Sequence, residues 1–152
     1  MKKRIIRNFL LTISAFVIAL HAALSNADGG GATMDAAGIS SAFTGLAIVT
    51  CKSEGGVATD YLIAQIRDHS PPVDGLLVNL QLLKGNKAIS TTDNISGDSG
   101  YSDSVSLRGG NGTYYMMVNK TDVGERTFDI VYHCMSDSGV HTVTEIGVLQ
   151  FE

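Results

Sequence analysis

Beyond residue 27 no segment holds a helical apolar period for more than two turns, which removes most folds from consideration. The chain is instead cut into short runs that alternate apolar and polar residues or are rich in β-branched ones. They fall at 42–51, 59–67, 75–83, 87–92, 102–107, 113–119, 126–135 and 140–149. Residues 57–66 come closest to a helical period and are still read as strand. Between the runs lie Glu54-Gly55-Gly56, Ser70-Pro71-Pro72, Lys84-Gly85-Asn86, Gly109-Gly110-Asn111-Gly112 and Ser136-Asp137-Ser138-Gly139. Gly and Asn supply positive φ there, and Pro pre-sets its own φ and cannot donate to a ladder. Eight such runs at roughly 8–12-residue spacing predict an antiparallel β-sandwich of 7–8 strands. Asp28–Ser41, rich in Gly, Ala and Ser with no sustained period, reads as a flexible N-terminal segment preceding a domain over 42–152.

Residues 1–27 have the three-part layout of a secretory signal peptide. Lys2, Lys3, Arg4 and Arg7 are followed by an apolar run from Phe9 to Leu20, and Ser25-Asn26-Ala27 sets small residues before Asp28. A run of about a dozen residues is short for a bilayer, which takes roughly 20. Export to the periplasm or the extracellular space is therefore expected, with no membrane association after cleavage. The remaining 125 residues keep seven Lys and Arg against fifteen Asp and Glu, a net charge near −8. The seven basic residues are scattered, so nucleic acid is not an expected partner. In an oxidising compartment an even cysteine count points to one disulfide, Cys51–Cys134.

The best-patterned run is 126–135. Alternation puts Phe128, Ile130, Tyr132 and Cys134 on one face and Asp129, Val131, His133 and Met135 on the other. Tyr132-x-Cys134 resembles the Tyr-x-Cys of immunoglobulin-like domains, where a tyrosine corner precedes the second cysteine of the inter-sheet bond. Gly112-Thr-Tyr-Tyr-Met-Met-Val118, with Gly124 and Phe128-Asp-Ile-Val-Tyr132, also looks like the last hairpin of small bacterial sandwich modules. The resemblance covers about 25 residues. It implies an immunoglobulin-like or fibronectin-III-like architecture and no functional residue.

Several constellations bear on chemistry. Gly97-Asp98-Ser99-Gly100 matches the core of the trypsin-like nucleophile motif, but Tyr101 replaces its second glycine and 125 residues are too few for two barrels. The loop Asp93–Asp103 is dense in oxygen ligands, which calcium favours, although Ile95 breaks the EF-hand pattern. His133, Cys134, Met135 and His141, with Met116 and Met117, are the residues from which a copper site could be drawn. Alternation separates His133 from Cys134, leaving a cysteine-free set of His133, Met135 and Met117. Asn94, Asn111 and Asn119 open Asn-x-Ser/Thr triplets, which matter only in a eukaryotic secretory path.

No catalytic triad, carboxylate dyad, phosphate loop or metal cluster is legible, so no enzyme, no cofactor and no metal are expected. The reading that remains is an exported, non-catalytic module for recognition or structural interaction, with a protein partner or self-association. The alternative is a periplasmic metal carrier, for copper through His and Met or for calcium at Asp93–Asp103. If 113–119 and 126–135 pair as a hairpin, Tyr115, Met117, Val131, His133 and Met135 form one outward apolar stripe, the expected interaction face.

Overall fold

The computed structural model describes residues 28–152, so the expected leader over 1–27 lies outside the described residues. The described residues contain nine strands and no helix: β1 Gly29–Met34, β2 Thr44–Lys52, β3 Tyr61–Asp68, β4 Val78–Lys84, β5 Lys87–Asp93, β6 Val105–Arg108, β7 Gly112–Lys120, β8 Arg126–Met135 and β9 Val143–Phe151. Each of the eight runs read from the sequence corresponds to one of β2 to β9. They pack as two antiparallel sheets, ordered β1-β8-β3-β6 and β5-β4-β7-β2-β9.

Period-2 alternation decides which residues meet between the sheets. Leu62, Ala64 and Ile66 of β3 and Phe128, Ile130 and Tyr132 of β8 face Val49 of β2, Val78, Leu80 and Leu82 of β4, and Tyr114 and Met116 of β7. Cys51 of β2 and Cys134 of β8 are buried and disulfide-bonded, with Cα atoms 5.6 Å apart, so the bond ties one sheet to the other. The tyrosine hydroxyl that bonds back to backbone four residues upstream is that of Tyr114, which donates to the Gly110 carbonyl at 2.9 Å, rather than that of Tyr132.

Two sequence expectations are corrected here. The N-terminal segment read as flexible over 28–41 contains β1, which pairs with β8 from Gly29↔Val131 to Met34↔Arg126. Its strand goes unread because three glycines carry no alternation. Gly31 is needed for the close approach: a Cβ there would lie 2.5 Å from Asp129 Oδ1 and 2.6 Å from the Phe128 carbonyl. The second correction is the expected hairpin between 113–119 and 126–135. β7 pairs with β2 and β4, β8 pairs with β1 and β3, and the two lie in opposite sheets.

Two buried ion pairs hold that crossover. Lys120, the last residue of β7, donates to Asp35 Oδ2 at 2.9 Å and to the Ser40 and Asp122 carbonyls. Arg126, the first residue of β8, donates through Nη1 to Asp68 Oδ2 at 3.1 Å, to the Pro71 carbonyl and to Ser96 Oγ. All four side chains are at most 3% exposed. Burial raises the Asp35 pKa, but the Lys120 ammonium and the backbone N–H groups of Ile39, Ser40 and Gly124 outweigh it and hold the carboxyl well below the usual range.

Candidate functional site

The sandwich is open along one side. β1 is the edge of the four-stranded sheet and β9 the edge of the five-stranded one, and between them runs an apolar slot of about 430 Å³. Its floor is Ala47, Met116 and Val118 from one sheet and Phe128, Ile130 and Tyr132 from the other. The slot exists because side chains are missing. The register puts Gly30 opposite Ile130 and Ala32 opposite Phe128, so two of the three inward positions of β1 carry only a hydrogen and a methyl, while the third, Met34, is buried in the core beyond the slot. A Cβ built on Gly30 meets nothing within 4 Å.

The opposite wall is β9. Val148 pairs with Ala47 and Ile146 with Val49, both inward positions of β2, so these side chains point into the slot. With nothing across from them they stay exposed, Val148 at 69% and Ile146 at 46%. Phe151 closes one end. It sits edge-on to Phe43 at 5.0 Å between ring centroids and reaches Phe128 of the other sheet at 6.3 Å. Gly45 makes room for it, since a Cβ there would lie 3.1 Å from the Phe151 ring. A bulge between Leu46 and Ala47 shifts the β2–β9 register, and Leu149, 56% exposed, falls at that irregularity.

The five residues expected to form one interaction stripe are divided. Tyr115 and Met117 of β7 lie on the outer face of the five-stranded sheet, Tyr115 exposed and Met117 half-buried. Val131, His133 and Met135 of β8 lie half-buried on the outer face of the four-stranded sheet. A core two side-chain layers thick separates the groups, so no single contact covers all five. The copper set of His133, Met135 and Met117 is divided in the same way.

The structure brings other groups together. The His133 and His141 rings lie with centroids 4.5 Å apart and tilted by 45°, because Met135 bridges to His141 where the chain turns from β8 toward β9. His133 Nδ1 is buried without a hydrogen-bond partner. Burial, and then the neighbouring His141, lower the His133 pKa from its ordinary 6.5. Among the described residues no group of three or more His, Cys, Asp or Glu could hold a metal ion. On the same outer face Asp129 accepts from Arg67 and from His69, and Arg67 stacks 4.6 Å from the Tyr101 ring centroid. The Arg67 guanidinium holds the Asp129 carboxyl below its ordinary pKa.

Several polar groups of the loops read for chemistry make structural hydrogen bonds. Asp93 is buried and accepts from the Asp68 and Ile95 backbone N–H groups, and Asp98 accepts from Gly100 N–H. Arg67 Nη1 donates to the Ser99 carbonyl oxygen at 3.4 Å. Asn111 accepts from Thr59 N–H and donates to Ser53 Oγ.

Sequence reasoning missed the slot. Hydrophobic patterning finds side chains that are present, and the slot is made by Gly30, Ala32 and Ala47. One signal was available: β9 carries Ile146, Val148, Leu149 and Phe151 with no Lys, Arg or Pro, the residues that usually guard an edge strand. Comparison with protein-family models, with curated proteins and with solved structures finds no match for this chain.

Proposed function

We propose that this chain is an exported, non-catalytic recognition module whose contact site is the slot between β1 and β9. One observation carries the reading: an apolar slot of about 430 Å³ opens between two unpaired strand edges, with Ile146 and Val148 exposed inside it. Contiguous exposed apolar surface of this kind usually marks a contact site. The inter-sheet disulfide suits an oxidising compartment, which supports the export reading. The lining offers no nucleophile and no acid–base pair, which favours binding over catalysis.

A photocrosslinking residue in place of Val148, introduced in the native host, tests this. A discrete crosslinked species is expected in the exported fraction, and it should vanish when Gly30→Leu fills the slot. Crosslinks that persist unchanged in Gly30→Leu would overturn the reading. Intact mass checks export, with cleavage expected before Asp28.

One observation favours the carrier as a second reading: the adjacent, tilted rings of His133 and His141 with the unpaired His133 Nδ1. With Met117 in the other sheet, the soft-ligand set becomes His133, His141 and Met135, the last a neighbour of His141 through their bridge. Elemental analysis giving one copper per chain, lost on His133→Ala, would establish that reading in place of the first.

A further inference from the structure

We infer that the occupant of the slot is an extended peptide segment of a partner protein, apolar at every second residue and flanked by Lys or Arg, added as a strand beside β9. This rests on the recognition reading above. An added strand satisfies the row of unpaired N–H and C=O groups that an edge presents, while its alternate side chains enter the space between the sheets. β9 offers such an edge, pairing on one side only, with β2. The slot takes apolar side chains from that direction because Gly30 and Ala32 present almost nothing from the facing edge.

Charge selects the flanks. Neither β1 nor β9 carries Lys or Arg, while Asp28 precedes β1, Glu145 lies on β9 and Glu152 follows it. Glu145 is paired with Lys52, and the expected cleavage before Asp28 sets an α-ammonium beside the Asp28 carboxylate, so the local carboxylate comes from Glu152 at the end of β9 and the wider field from the acidic domain. The residues from Asp28 onward total near −8, counting seven Lys and Arg against fifteen Asp and Glu. Two copies of this chain would meet with like charge, whereas a basic-flanked segment is drawn in. A fatty acid would set its carboxylate against the same acidic rim, and the lining offers no cation to hold it.

The test uses the purified disulfide-bonded protein and a fluorescent peptide, Lys-Lys-Val-Thr-Val-Thr-Val-Lys-Lys, titrated by anisotropy. Two comparison peptides accompany it. One has the same composition with the central residues reordered to Val-Val-Val-Thr-Thr, and the other has Glu in place of the four Lys. Expected results are saturable binding of the first peptide and at least tenfold weaker binding of each of the others. A further tenfold or greater loss is expected in Gly30→Leu, whose melting temperature should not fall because its Cβ meets nothing within 4 Å and the rest of the side chain extends into the open slot. Equal binding of the alternating and reordered peptides, or of Gly30→Leu and the parent, overturns the inference. So does saturable uptake of a fluorescent fatty acid with no peptide binding, which would assign the slot to a lipid chain. If none of the peptides binds while the Val148 crosslink still depends on Gly30, the strand inference fails and the recognition reading survives. Loss of both removes both.

Discussion

Replacing Arg126 with Met should cost this protein about 3–4 kcal/mol, and the reason lies in what stays behind. Asp68 is 1% exposed, and its charge is balanced by the Arg126 guanidinium, which is 3% exposed. Removing one partner of a buried ion pair costs about 3–5 kcal/mol, because the other charge stays desolvated and unpaired. Two details place Arg126→Met toward the lower end of that range. Ser70 N–H and Ser96 Oγ still donate to the Asp68 carboxylate. Arg126 Nε is buried with no partner, so its loss removes an unfavourable group. Against a total stability of roughly 5–15 kcal/mol this is a large fraction. The melting temperature should drop by roughly 10–15 °C for a domain of this size. Urea unfolding followed by far-UV circular dichroism and tyrosine fluorescence, there being no Trp, measures it, with the m-value unchanged. The decisive comparison is the double variant Arg126→Met, Asp68→Asn. The amide oxygen at position 68 can keep the bond from Ser70 N–H while its NH2 group donates to Ser96 Oγ, which Arg126 no longer occupies. With the buried charge gone as well, the second substitution should restore about 1–2 kcal/mol. A single-variant loss under about 1 kcal/mol, or a double variant no more stable than the single, would refute the reasoning.

Three other outcomes are expected. Replacing both cysteines with Ala should cost about 4.5 kcal/mol on the chain-entropy model for a separation of 83 residues, read as a shift in urea midpoint between the oxidised parent and the variant. For His133, burial and His141 lower the folded pKa below the unfolded 6.5, so the unfolded state binds the proton more readily. Stability should therefore fall as pH drops through about 6.5 toward the lowered folded value, and His133→Gln should flatten that part of the profile, as checked by melting temperature between pH 7.5 and 5. Gly31→Val should displace β1, since its Cβ would meet the Phe128 carbonyl at 2.6 Å. Hydrogen exchange at the β1 and β8 amides should rise in that variant and stay low in Gly30→Leu.

Eight of the nine strands, β2 to β9, were legible along the chain because alternation is a local property, whereas the glycines of β1 carry none. Phe128, Ile130, Tyr132 and Cys134 face inward as their spacing requires, and the Gly, Asn and Pro clusters fall between strands. The disulfide was legible too, from cysteine number and expected compartment. Sheet membership was not. Alternation says that Tyr114 and Phe128 both face a core, but it is equally satisfied by a β7–β8 hairpin and by a crossover. The crossover is held by Lys120 with Asp35 and Arg126 with Asp68, partners 85 and 58 residues apart. Desolvated pairs at that separation leave no periodic trace in a sequence. That choice divided Tyr115 and Met117 from Val131, His133 and Met135, and it set His133 beside His141 in a way their spacing does not show. The slot was hidden for a related reason. Gly30, Ala32 and Ala47 carry no apolar pattern, and only the facing of β1 against β9 turns their small size into a cavity. Local chemistry thus determined β2 to β9 and their inward faces, whereas long-range pairing made β1 a strand, decided which faces meet and set where a space is left between them.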